Sequence, residues 1–147
     1  MHIIIRPACD CDWPDLQNIF LESRRSTYHW LDTSSYKLTD LDGQTQGESV
    51  LVAETESHEI LGFVSVWKED KFIHHLYIKP GQQGKGIGRA LLHALPAWET
   101  GRYTLKCLQR NESALRFYLG CGFQIAGEGS SEEGEYFLLE QKLRRAL

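Results

Sequence analysis

The 147-residue chain is about 41% hydrophobic and carries a formal net charge of −4, so it has length and apolar content for one compact domain, 1–147, with a core of its own. Acidic and basic residues are mixed along it without the basic stripe that neutralises a nucleic-acid backbone, which argues against nucleic acid as a partner. No segment approaches the roughly 20 apolar residues of a membrane span, and the opening "MHIIIRPACD" lacks the apolar stretch of a secretory signal, so no membrane partner and a cytoplasmic location are expected.

"HIIIR", residues 2–6, reads as a first strand ended by Pro7. The next segment holds Cys9 and Cys11, which with Cys107 and Cys121 are too scattered for a disulfide scaffold. Free thiols are expected, and this lone CxC, with no second pair, predicts no metal. Asp12 is placed to cap a helix with Pro14 and Asp15 in its first turn, and Leu16, Ile19, Phe20 and Ser23 recur at helical spacing to about residue 25. The polar and aromatic stretch "STYHWLDTSSYKLTDLDGQTQGES" predicts a helical turn and loops. "SVLVAET", "EILGFVSVW" and "KFIHHLYI" then predict three strands in an antiparallel meander. After the segment "PGQQGKGIGRALL", a helix presents Ile87, Leu91, Leu92 and Leu95 on one face and closes near Pro96. "RYTLKCL" is a further strand, "NESALRFYLGCGF" a helix capped by Asn111, and "FQIAGEG" with "EYFLLEQKL" a closing antiparallel pair. The order predicts an α+β fold with helices on both faces of the sheet.

Gly81, Gly84, Gly86 and Gly88 crowd the junction between a strand and a helix, where positive φ angles and unpaired helix amides suit a phosphate. Spacing separates the kinds of phosphate loop. A P-loop needs a glycine where Lys79 stands and Ser or Thr where Gly86 stands, and the dinucleotide fingerprint GxGxxG does not match the GxGxG of Gly84, Gly86 and Gly88. "QGKGIG", residues 83–88, and "NESALRFYLGCGF", residues 111–123, instead resemble two ordered motifs of the GCN5-related N-acetyltransferase (GNAT) family, the second without a departure. With "LYIKP" ahead of the glycines, the resemblance covers residues 50–140 well and the first 49 only in layout.

The resemblance implies a mostly antiparallel twisted sheet of six to seven strands that splays between the fourth and fifth. It also implies acetyl-CoA as cofactor and direct transfer of its acetyl group to a primary amine. By the family's motifs, the amides of Gln83, Gly84, Lys85, Gly86, Ile87, Gly88 and Arg89, with the Lys85 side chain, would face the pyrophosphate. Leu76, Tyr77 and Ile78 would offer backbone groups to the pantetheine arm, and Asn111 would be a cofactor contact or a helix cap. Tyr118 matches the tyrosine that hydrogen-bonds or protonates the coenzyme A sulfur.

His74 stands near the place where many members carry a glutamate base, and an imidazole accepts protons at neutral pH. The alternatives are Glu69, Asp70 or an ordered water. Successive strand residues point to opposite faces, so His74 and His75 are not expected to meet at one substrate or to chelate a metal. Tyr28, His29 and Trp30 after the first helix, with Tyr36 nearby and Trp67 on the third strand, would line the acceptor pocket or fill the core, and Glu22 and Asp32 would meet a cationic substrate or solvent. The acceptor would be a small-molecule or protein amine and the chain a monomer or homodimer. A non-catalytic acyl-CoA-binding or sensor domain is the alternative, and an interaction protein on the same fold a third.

Overall fold

The computed structural model describes residues 2–142. Its strands are β1 (Ile3–Pro7), β2 (Ser49–Thr55), β3 (Ile60–Trp67), β4 (Phe72–Ile78), β5 (Thr104–Leu108), β6 (Phe123–Ser131) and β7 (Gly134–Gln141). The helices are α1 (Trp13–Thr27), a short α2 (Asp40–Gln44), α3 (Ile87–His93) and α4 (Glu112–Gly120). The strands form one seven-stranded sheet in the order β1-β2-β3-β4-β5-β7-β6. All neighbours are antiparallel except β4 and β5, which run parallel and pair only at Phe72 with Thr104 and Ile73 with Leu105. Beyond Ile73 the two strands part, the splay the family resemblance implies. The final residue of the expected closing strand, Leu143, lies outside the described residues.

The core has two halves, one on each face of the sheet. Leu16, Ile19 and Phe20 of α1 pack with Leu41, Val52, Ile60 and Phe63. On the other face Ile87, Leu91, Leu92 and Leu95 meet Leu61, Val64, Ile73, Leu105, Phe123 and Leu139, with Phe117 and Tyr118 of α4 against the same cluster. β3 is buried along nearly its whole length because both faces are covered.

Several local readings change. Asp12 stands at the N-cap of α1 but makes no capping bond. Its carboxylate accepts from Arg6 Nη1 and Nη2 at 2.8 and 2.9 Å and from the Cys9 amide at 2.8 Å, because a charged fork outcompetes a single helix amide. Arg6 also grips Glu54 across the β1–β2 pair at 2.9 Å, and these bonds hold both carboxyls below their ordinary values. Cys9 and Cys11, expected as free thiols, are joined in a disulfide within one tight turn, their Cα atoms 5.4 Å apart; Cys107 and Cys121 are free. As a sequence, CxC reads only as half of a metal site, whereas its two thiols meet each other. Among the described residues, no helix is long and apolar enough to cross a membrane.

Candidate active site

The segment between β4 and α3 turns through glycines at positive φ: Gly81 at 89°, Gly84 at 80° and Gly86, the N-cap of α3, at 81°. A Cβ on any of the three would meet nothing within 4 Å, so these glycines serve the backbone path and the open space above it. Gly88 differs: a Cβ there would come within 3.0 Å of the Phe117 ring, so it lets α3 and α4 pack closely. Among the described residues, none of the backbone amides of Gln83 through Arg89 donates to another protein group. Gln83 holds the loop instead, accepting from the Gly81 amide at 3.0 Å and reaching the Ile78 carbonyl at 3.5 Å. Lys85 is exposed and donates to Gln82 at 2.9 Å, Ile87 is buried and offers only its amide, and the Arg89 guanidinium reaches the carbonyl of Gly120 on α4. Asn111 caps α4, accepting from the Ala114 amide at 3.2 Å.

Leu76 and Ile78 pack toward the α3 face, and Tyr77 toward α1 against Phe20 and Phe63. Tyr118 rests its ring edge-on against Phe123 at 5.7 Å. Burial pushes its phenol well above the ordinary value, and the thiols of Cys107 and Cys121 and the phenol of Tyr28 add to the rise. Burial likewise raises Tyr28 and Tyr77, whose phenols are neighbours. Three protonated phenols, from the end of α1, from β4 and from α4, therefore gather about the splay.

The two histidines behave differently from the alternation expected of them. Ser65 of β3 pairs with His75 but Val66 pairs with Ile73, so β4 carries one extra residue, His74, at that step. This bulge turns both imidazoles to the α1 face with ring centroids 3.9 Å apart. His75 is 4% exposed, and burial first, then His74 and Arg24, push its pKa down to about 3. Ser65 Oγ lies 2.7 Å from its Nδ1 and Gln44 Oε1 3.0 Å from its Nε2, the pattern of a neutral ring that accepts at Nδ1 and donates at Nε2. His74 is 37% exposed, and its Nδ1 lies 2.7 Å from Glu48 Oε2. The Glu48 side chain is only 7% exposed, and its Oε1 is buried without a partner, 3.9 Å from His75 Nδ1.

Glu48, His74 and His75 each bring a possible ligand atom within 4.8 Å of the others, so the pair of histidines is closer to a chelate than alternation allows. Both nitrogens of His75 are already engaged, however, and the set is a hydrogen-bonded network. Cys9, Cys11 and Asp12 are gathered as closely, but their sulfurs are joined and the carboxylate is held by Arg6. Glu69 and Asp70 are exposed in the β3–β4 turn, before β4 begins at Phe72.

The aromatic residues after α1 split into two places. Tyr28 and Trp30 lie 5.6 Å apart by ring centroid, His29 stands edge-on to Trp30, and Trp30 Nε1 donates to the Glu133 carbonyl at 2.9 Å. Trp30, Leu31, Arg110, Glu132, Glu133 and Glu135 help line an open cavity of about 570 Å³ at the end of β5. Tyr36 faces inward, its ring covered by the Arg24 guanidinium at 4.3 Å, so the cation on that face belongs to the protein. Trp67 sits at the opposite end of β4, beside Phe72 and against Gly47, and does not join the cavity. Glu22 and Asp32 are exposed.

Glu48, Gln44 and Ser65 are the residues that sequence reading missed. A serine at a buried position of "FVSVW" signals a polar partner across the strand; Glu48 and Gln44 carry no such local mark.

The family model for the acetyltransferase (GNAT) domain matches residues 46–125, more than half of the chain. The chain belongs to the GNAT family. An uncharacterized N-acetyltransferase of Mycobacterium tuberculosis is 33% identical over 81 residues, 49% of this chain and 52% of the relative. A streptothricin acetyltransferase of Streptomyces lavendulae is 31% identical over 111 residues, 66% of this chain and 59% of that one. The chain thus spans about half the length of the curated relatives it matches first. The fold matches the PaiA N-acetyltransferase of Thermoplasma acidophilum, solved in complex with coenzyme A, with a TM-score of 0.73 at 23% identity over 97% of this chain and 99% of that one. The GNAT chain described here therefore has its matched region across the glycine loop, the splay and α4.

Proposed function

We propose that this GNAT chain is an acetyl-CoA-dependent N-acetyltransferase acting directly on a primary amine of a small molecule or protein. The observation that carries the reading is the run of amides from Gln83 to Arg89, without a protein partner among the described residues, under open space at the mouth of the β4–β5 splay. Such amides fit a pyrophosphate, which supplies the acceptors they lack. The edges of β4 and β5 beyond Ile73 offer backbone groups to an amide-bearing arm in the same way. When bound, acetyl-CoA supplies an activated acyl carbon and a thiolate leaving group.

The chain's own residues then divide the proton work. Tyr118 holds its Oη proton firmly at neutral pH, as a donor to a departing sulfur must. His74, on the α1 face at the first step past the last β4–β5 pair, accepts the ammonium proton at Nε2 while Nδ1 faces Glu48. A covalent acetyl-cysteine step is disfavoured, because burial pushes the Cys107 thiol up to about 11 and raises Cys121. The amine enters through the cavity beside Trp30 and Tyr28, whose acidic rim of Glu132, Glu133 and Glu135 favours a positively charged acceptor.

Coenzyme A release, followed with a thiol reagent over a panel of amines, tests this. Amine-dependent release with an acetylated product is the expected result. Tight acetyl-CoA binding without release for any amine would favour the sensor reading, and no acetyl-CoA binding would remove both.

A further inference from the structure

We infer that Glu48 is a positioning residue for the base, holding His74 in the tautomer and orientation that leave Nε2 free to take the substrate's proton. The inference rests on the transferase reading above. Three observations carry it.

First, the carboxylate has no hydrogen-bond partner other than His74 among the described residues. Oε2 faces His74 Nδ1 at 2.7 Å, and Oε1 is buried with no partner at all among the described residues. Among the described residues no lysine or arginine reaches Glu48, whereas the other buried or half-buried acids of the α1 face, Asp12, Glu54 and Asp40, are each held by an arginine. A 7%-exposed carboxylate with one oxygen orphaned costs stability, so packing does not account for it. Second, the geometry is that of a carboxylate orienting a general base. An ionised carboxylate can only accept, so the Nδ1 that faces it must be the protonated one. Nε2, with its lone pair, is then the nitrogen left to accept. The proton from the ammonium goes to Nε2, Nδ1–H stays donated to Oε2, and no proton passes to Glu48. Third, the bulge at His74 and the buried His75 fix the ring from the other side. His75 lies 3.9 Å away by centroid and is itself pinned by Ser65 and Gln44, so His74 has a wall behind it and one open edge.

A positioning carboxylate and a structural one make opposite forecasts. The test uses Glu48→Gln, His74→Gln and the double variant, assayed with acetyl-CoA and an amine that the native chain acetylates, alongside acetyl-CoA affinity and thermal unfolding. Glu48→Gln is expected to lower kcat about 10- to 100-fold, with acetyl-CoA affinity unchanged and the unfolding temperature not reduced. In the His74→Gln background the same substitution is expected to cost no further activity, because Glu48 acts only through His74. Near-native kcat in Glu48→Gln, an equal loss with and without His74, or a fall in unfolding temperature that accounts for the lost activity would each overturn the inference. Full activity of His74→Gln would instead remove His74 as base, and is read separately from the Glu48 single variant.

Discussion

His75 makes the stability of this fold depend on pH in a way that can be calculated. Its imidazole is 4% exposed and its pKa is pushed down to about 3 from an ordinary 6.5, chiefly by burial. The sign follows from which state binds protons more readily. Below pH 6.5 the unfolded chain protonates this ring and the folded one does not, so the stabilisation is complete above 6.5 and is lost progressively toward 3. At pH 5.0 the loss from this residue is about RT ln 33, or about 2 kcal/mol, and it depends almost entirely on the unfolded value because the folded ring is still neutral. Asp12 and Glu54, lowered by Arg6, and Asp40, lowered first by the Lys37 amide and then by Arg24, have ordinary values of 3.8 for the aspartates and 4.5 for the glutamate and lose their stabilisation mainly below this window. Urea denaturation of the native chain and of His75→Gln at pH 7.5 and 5.0 isolates the effect. The native chain should lose about 2 kcal/mol more than the variant between the two pH values. Equal losses would refute the reasoning, and would mean that the ring charges without leaving its site.

Three further outcomes are expected. Tyr118→Phe should lower turnover about 100-fold while acetyl-CoA affinity measured by calorimetry stays within a factor of two. Gly62→Ala should destabilise the sheet by about 1–3 kcal/mol, because its Cβ would lie 2.8 Å from the Tyr77 carbonyl on the neighbouring strand; an unchanged unfolding midpoint would contradict the close approach of β3 and β4. Arg6→Leu should lower the urea midpoint at pH 7, since it strands two carboxylates that are 6% and 11% exposed, and the loss should shrink as pH falls below 4 and both become protonated; a loss independent of pH would contradict the ion pairs.

How far the sequence led depended on whether a feature is local. β2, β3 and β4, the apolar face of α3 and the cap of α4 follow from periodicity and turn residues, and the structure has them at the expected positions. The two family motifs likewise led to the glycine loop and the parting of β4 from β5. The acidic partner of His74 did not follow, because Glu48 lies far from it in the chain and meets it only when β2 and β3 fold alongside. Nor did the bulge, which exists only in the pairing of two strands: "FIHHLYI" read alone alternates, and the slip at Ser65 and Val66 breaks that alternation at the histidines. Asp12 failed as a cap for the same reason, since the competing partner Arg6 arrives from β1. Trp67 and the Tyr28–Trp30 group looked equivalent as aromatics of the acceptor region, but opposite ends of β4 separate them.

The two register pairs between β4 and β5 bear on how this protein comes apart. Backbone bonds stitch β1 to β4 into one blade and β5 to β7 into another, and beyond the short paired stretch at the start of β4 the blades are held across the seam by side chains under α3 and α4. The sheet is therefore weakest along the line where its proposed ligand lies. An occupant bonding to both free edges would act as a missing strand, so that amides on either side of the seam exchange with deuterium more slowly when it is filled, and the two blades unfold as one unit in its presence.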